Sequence, residues 1–475
     1  MRFLTILAAP CLAVAVLVSF PSPPRGYNTF DTYGYQNLNA SGVSALISDF
    51  ASSPLFSAGY DQLYGFSGWA NTLLPNGTWA WHLDGYGLPI PAPERFAPGQ
   101  MAAAAAAAKA QGVRFGLWHI RGIHASAAAA RLPVKGMEQY TLDMLVDQQS
   151  TGGGKNGSCL WASDWLGVNA SHPAAQAYYD AVVAQLLGFG VSVIEADCFM
   201  CEPCYKEEML LFSRAVAGRP EGIVLYYSPG GGNTPADAQW VKGNNASSYY
   251  RTLTDFHGGW YGWGGLQEAF FIAGNFTAAL PPLQAPYAPW PDLDMVPMDA
   301  AWWGASQEQA DRGQTIATLW FMGRYPIFSA GALPLDAKTL SYLTNPLALE
   351  LNQRPGPPAL PPTRVLYEGN CTCLGGLASC IIPHGPADHP PHPCVAKWVA
   401  PLQAWTALAL TNLGEDGTST TTSFAQLGLP ALPTAWYRVL DVWTGAALGT
   451  FPGDQSFTLA LRMHASALLQ VLPAA

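Results

Sequence analysis

Between residue 25 and about residue 355, short apolar runs alternate with longer stretches of helical spacing, the pattern of parallel strands joined by helices. Eight runs qualify as strands: residues 26–30, 60–66, 114–120, 191–197, 222–228, 248–253, 290–295 and 325–330. The alanine tract at 101–110 is a strong helix former. A second helix is predicted to start at Ser171, a good N-cap with Pro173 in the first turn, and to run to Gly188, where a glycine can close it. Eight strands with helices between them fit a (β/α)8 TIM barrel with insertions. An open doubly wound sheet is the alternative, but no glycine-rich phosphate loop follows the first strand. Five prolines within 355–362 then mark a linker, and beyond it the texture turns Thr-rich and alternating, as in 405–410, 437–443 and 457–461. That predicts a C-terminal antiparallel β-sandwich.

The first residues follow another pattern. Met1 and Arg2 precede a run, 3–20, that is apolar except for Thr5 and Ser19, and Pro21, Pro23 and Pro24 close it. This reads as a secretory signal, with an uncleaved anchor as the alternative; no other apolar run approaches the length of a membrane span. The expected organisation is therefore a signal at 1–24, a barrel at 25–355 and a β domain at 356–475.

Composition narrows the function. Charged residues are only 11% of the 475, the net charge is −10, and no Lys/Arg-rich run supplies the footprint that nucleic acid needs. Sequons at Asn39, Asn76, Asn156, Asn169, Asn245, Asn275 and Asn370 suit a secreted glycoprotein, and glycans would add the solubility that so few charges do not. Outside the signal stand Cys159, Cys198, Cys201, Cys204, Cys371, Cys373, Cys380 and Cys394, an even set that suggests disulfides. The spacing of Cys198, Cys201 and Cys204 also suits an iron–sulfur loop, but no fourth Cys-Pro follows. The stretch 371–394, with His384, His389 and His392, is either a zinc site of unusual spacing or a disulfide-pinned surface loop, the latter favoured.

In a barrel, chemistry sits at the C-terminal ends of the strands. The fourth predicted strand runs straight into Asp197, and the sixth is followed by Arg251 and Asp255, four apart. A helix cap and a loop salt bridge are the bland alternatives. Two carboxylates on one rim suit glycoside hydrolysis, and Phe30, Trp69, Trp118, Tyr249, Trp260, Trp263 and Trp290 near the strand ends suit sugar stacking, although such aromatics also fill cores.

These residues stand within recognisable motifs: RGYNTFD at 25–31, RFGLW at 114–118, VSVIEADC at 191–198, YSPG at 227–230, RTLTD at 251–255 and, most specific, WPDLDM at 290–295. LTNP at 343–346 with Glu350 and Asn352, DVWTG at 441–445 and MHASAL at 463–468 continue the series. The chain resembles glycoside hydrolase family 27, the α-galactosidase and α-N-acetylgalactosaminidase family, and looks nearest its plant and algal melibiase-like branch. The resemblance implies a retaining mechanism with Asp197 as nucleophile and Asp255 as acid/base, Arg251 at the substrate's 2-position, and a disulfide between Cys159 and Cys198. Glu195 stands where the family has a sugar-binding lysine, Phe66 and Ser67 where it has acidic residues, and Ser228 where α-galactosidases have a glutamate. The expected substrate-binding set is Arg251, Ser228, Glu195, Phe30, Trp69 and Trp118.

The leading expectation is a glycosidase acting on terminal α-galactosyl-type residues of an oligosaccharide or glycoconjugate, with altered specificity. Its alternatives are a catalytically degenerate carbohydrate-binding protein and, more weakly, a cell-wall structural glycoprotein. No metal or organic cofactor is implied, an acidic pH optimum is expected from the acid–base pair, and the destination is extracellular, lysosomal or vacuolar.

Overall fold

The computed structural model describes residues 17–34, 38–148, 157–199, 205–220, 222–228, 234–262, 264–279, 289–354, 364–369 and 394–474. Eight parallel strands form one curled sheet: β1 (Arg25–Asn28), β2 (Gln62–Tyr64), β3 (Arg114–Ile120), β4 (Val193–Asp197), β5 (Val224–Ser228), β6 (Tyr249–Arg251), β7 (Trp290–Asp292) and β8 (Ile327–Ser329). Each of β1 to β6 pairs with the next strand in sequence, and β1 also pairs with β8. Just past β7, Val296 closes the ring by donating to Phe328 O at 2.7 Å and accepting from Ala330 N at 3.0 Å. The expected barrel is therefore present.

Register decides which side chains share the rim. Asp197 lies opposite Ile120 of β3 and Ser228 of β5, and Arg251 lies opposite Asp292. Side chains alternate along a strand, so Glu195 and Asp197 point to one side and Ala196 to the other. The barrel interior is aromatic: Tyr64, Tyr226, Tyr249 and Phe328 pack with ring centroids 4.6–5.9 Å apart. Tyr249 and Trp290, which the sequence offered for sugar stacking, are fully buried in this layer.

The helices cover the outside. The alanine tract forms α1 (Gln100–Ala110) as expected. The second predicted helix, α2 (Ala175–Gly188), starts four residues beyond Ser171. Asn169 Oδ1 accepts from both Ser171 N (3.1 Å) and Ser171 Oγ (2.7 Å), so the serine is spent in a turn rather than on a helix end.

Residues 17–24, expected to leave with the signal, pack beneath the barrel. Val18 and Phe20 join the interior aromatic cluster, with the Phe20 ring 6.4 Å from Tyr249. Phe20 O accepts from Trp290 Nε1 at 3.0 Å, Pro23 O from Gln353 Nε2 at 3.0 Å, and Pro24 O from Ile327 N at 3.1 Å.

The C-terminal domain holds a six-stranded antiparallel sheet built from β9 (Arg364–Gly369), β10 (Cys394–Pro401), β11 (Thr406–Asn412), β13 (Trp436–Asp441), β14 (Ala447–Pro452) and β16 (Ser466–Ala474). A two-stranded sheet of β12 (Thr418–Ser423) and β15 (Ser456–Leu461) faces it. Phe424, Tyr437, Phe457 and Leu469 fill the space between the two sheets. Helix Gln307–Met322 of the barrel docks the sandwich: Arg462 grips Asp311 through Nε (2.7 Å) and Nη2 (2.5 Å), and His464 stacks on Trp260 at 3.7 Å. Trp260 thus serves the domain junction, not a sugar site. Trp263 lies outside the described residues.

Asn39 and Asn76 are exposed, while Asn169 and Asn245 are half-buried. Asn275 falls within helix Leu266–Ala279, and Asn156 and Asn370 lie outside the described residues. The same holds for Cys201, Cys204, Cys371, Cys373, Cys380, His384, His389 and His392. Cys394 is disulfide-bonded.

Candidate active site

A cavity of about 260 Å³ opens at the C-terminal rim, lined by Phe30, Asp31, Ser67, Trp118, Trp161, Glu195, Asp197, Ser228, Arg251, Asp255, Phe256, Asp294 and Met295. That is below the roughly 300–1,000 Å³ of drug-sized pockets and suits one sugar ring. Seven of the eight expected catalytic and substrate-binding residues meet there. The exception is Trp69, buried with its Nε1 donating to Trp118 O at 2.8 Å, so it supports a wall residue rather than meeting a ligand.

Asp197 is held at both oxygens: Trp118 Nε1 donates to Oδ2 at 2.9 Å and Cys198 N to Oδ1 at 2.5 Å. The chain turns sharply just behind it, with Cys198 at φ +64°, a left-handed conformation that costs a non-glycine residue roughly 1–2 kcal/mol. Two devices secure that turn. Cys198 is bonded to Cys159, the pairing that the family resemblance implied. Arg121, fully buried, donates from Nε to Cys198 O (2.9 Å) and from Nη1 to Glu208 Oε1 (2.5 Å), while its own N donates to Asp197 O (3.0 Å).

Across the cavity, Arg251 is 4% exposed at its side chain and bridges two acids. Its Nη1 meets Asp294 Oδ2 at 2.8 Å, and its Nη2 donates to Asp255, which is 83% exposed at the mouth. Burial opposes the guanidinium's charge, but Asp294, Asp255 and Asp197 outweigh it and hold the group well above its usual range. Asp294 is a hub: it also accepts from Phe256 N (2.8 Å) and Met295 N (2.8 Å), from a backbone at φ +82°.

The remaining wall residues divide by side. Ser228 and Ser67 line the cavity, whereas Phe66, next to Ser67, turns into the core with its ring 5.1 Å from Phe115. Trp118 and Trp161 stand 6.1 Å apart, and Trp161 is 45% exposed. Two acids absent from the expected set complete the site. Asp31 and Asp294 each follow a barrel strand within three residues, and a search of every strand end for carboxylates, rather than of the fourth and sixth alone, would have found them.

Crowding of acids shapes the titration. Burial pushes the Asp197 carboxyl up to about 7, against the lowering influence of Arg251 and Trp118. Asp31 is open to the mouth yet ringed by protein, and desolvation with neighbouring Asp294 lifts it to about 7 as well. If Asp197 must be ionised to act, the sign is fixed: activity is absent below its native pKa and rises as pH climbs through it. The ionisation of Asp197 is expected to add a rising limb to the kcat/KM profile near pH 7 wherever the acid still carries its proton, above the acidic range the acid–base pair alone suggested, because burial outweighs the single guanidinium. A profile already on its plateau at pH 5 would contradict this.

Fold and site together define a (β/α)8 barrel with a carboxylate-lined cavity at its rim and an antiparallel sandwich docked behind. Residues 394–471 match the family model described as the alpha galactosidase C-terminal beta sandwich domain. Among solved structures, the chain is similar to the GH27 β-L-arabinopyranosidase of Geobacillus stearothermophilus in complex with arabinose, at 22% identity and a TM-score of 0.75, covering 96% of this chain and 98% of that one. It is also similar to α-galactosidase I of Mortierella vinacea (15% identity, TM-score 0.62, 96% and 98% covered). The α-galactosidase of Saccharomyces cerevisiae with raffinose gives 13% identity, a TM-score of 0.62 and the same coverage. No curated protein matches the chain in sequence. At these identities the likeness is one of fold.

Proposed function

We propose that the protein is a retaining glycoside hydrolase of the family 27 type, acting on a terminal α-galactosyl-type sugar. The observation that carries this reading is the convergence of Asp197 and Asp255 on one ring-sized cavity, with Arg251 between them. Asp197 attacks the anomeric carbon as the bond to the leaving oxygen breaks, and Asp255 gives that oxygen its proton. Asp255, now a carboxylate, takes a proton from water, whose oxygen displaces Asp197 and restores both groups. The buried, doubly donated Asp197 suits a nucleophile that must not wander; the exposed Asp255 suits an acid that exchanges protons with solvent. The disulfide and the exposed sequons Asn39 and Asn76 favour a secreted glycoprotein.

The test is a panel of aryl glycosides: α-galactoside, α-N-acetylgalactosaminide and β-L-arabinopyranoside. Cleavage of at least one, with retention at the anomeric centre by NMR, is the expected result. Saturable binding of these sugars without cleavage by folded protein would move the reading to a carbohydrate-binding protein on the same barrel.

A further inference from the structure

Of the cavity's buried carboxyls, Glu195 is the one that leaves an oxygen unanswered. Asp197 and Asp294 each receive donors at both oxygens, whereas Glu195, 5% exposed, has no donor to Oε2 among the described residues. Its position on β4 sets what it can meet. Two residues of strand rise about 6.6 Å, so Glu195 lies about one sugar ring deeper than Asp197 on the same side. With the anomeric carbon at Asp197, the opposite ring edge, carbons 3 and 4, faces Glu195.

The charge inventory indicates what that edge carries. Among the described residues lining the cavity, five carboxyls (Asp31, Glu195, Asp197, Asp255, Asp294) face one guanidinium, and Arg251 is already engaged by Asp294 and Asp255. A buried acid beside other acids ionises readily only with a positive partner. A divalent cation is disfavoured, since no group of three or more His, Cys, Asp or Glu among the described residues is placed to hold one. A single ammonium needs no such convergence.

We propose that the cavity selects a pyranoside bearing a free amino group on carbon 3 or 4, with Glu195 accepting from its ammonium. This rests on the glycosidase reading and names the substrate class of the same site. Burial and the neighbouring Asp197 push the Glu195 carboxyl well above the usual range, which favours its protonated form before the ligand arrives. An arriving ammonium then forms the ammonium–carboxylate pair, and the Glu195 proton leaves to solvent. The same positive charge favours the ionised form of Asp197.

The test is calorimetric titration of the full chain at about pH 6, where a sugar amine is protonated, with 1,5-anhydrogalactitol and its 3-amino and 4-amino derivatives. None has a glycosidic bond to cleave. One amino derivative is expected to bind about tenfold tighter than the parent, with net proton release when buffers of different ionisation enthalpy are compared. Glu195→Gln should erase that preference and the proton release; the wild-type comparison stands even if the variant folds poorly. Parent binding as tight as both amino derivatives overturns the proposal. If the aryl glycoside panel is cleaved in that case, the glycosidase reading survives alone. If nothing binds and nothing is cleaved, both fall.

Discussion

Asp197→Asn is expected to lower kcat/KM on any glycoside the protein cleaves by about 10⁴-fold or more, with little change in thermal stability. The amide keeps the volume and can still accept from Trp118 Nε1, but it cannot form the glycosyl ester on which the proposed double displacement depends. Stability is spared because Asp197, raised to about 7, sits in its cavity at some cost that asparagine does not incur. Asp197→Gly gives a sharper readout. Azide entering the space behind the anomeric carbon should restore turnover and yield a glycosyl azide of inverted configuration. Unchanged turnover in Asp197→Asn, or a retained azide product from Asp197→Gly, would show that the covalent bond forms elsewhere.

The second large effect falls on stability. Arg251→Leu removes the cavity's guanidinium and leaves Asp294 buried without its ionic partner, a change expected to cost about 3–5 kcal/mol. The loss should depend on pH with a definite sign. Without Arg251 the native pKa values of Asp294 and Asp197 rise further, while the unfolded chain still ionises near pH 4. Acids raised in the native state lose stability as pH climbs, so the variant's deficit should be larger at pH 7 than at pH 4. Denaturant titrations at the two pH values measure it. A deficit below about 1 kcal/mol at pH 7 would mean that Asp294 is satisfied by its backbone donors alone.

Much of this site follows from the period of a strand. Glu195 and Asp197, two apart on a predicted strand, had to share a side, and they do. The rule fails where strands end. Asp31 and Asp294 lie past the ends of β1 and β7, where alternation no longer fixes direction, and Asp294 reaches the cavity through a left-handed residue that no periodicity signals. Adjacent Phe66 and Ser67 take the same pair of positions in the sequence pattern, yet one packs on Phe115 and the other faces the cavity. Trp69, Trp260 and Trp290 illustrate a different limit: an indole near a strand end is equally suited to bracing a neighbour, stacking at a domain junction or filling the barrel, and only packing distinguishes these. α2 starts later than the sequence predicts for a local reason: Asn169 competes for Ser171.

The segment beneath the barrel has a bearing on maturation. Val18 and Phe20, which fall within the run predicted to be an export signal, stopper the underside of the aromatic layer. A protease cutting after Pro24 would bare Tyr249 to water from below and strip Trp290 Nε1 of its acceptor. Cutting ahead of Leu17 would leave the stopper seated. The position of any cut in the predicted signal therefore decides whether the finished fold keeps this stopper.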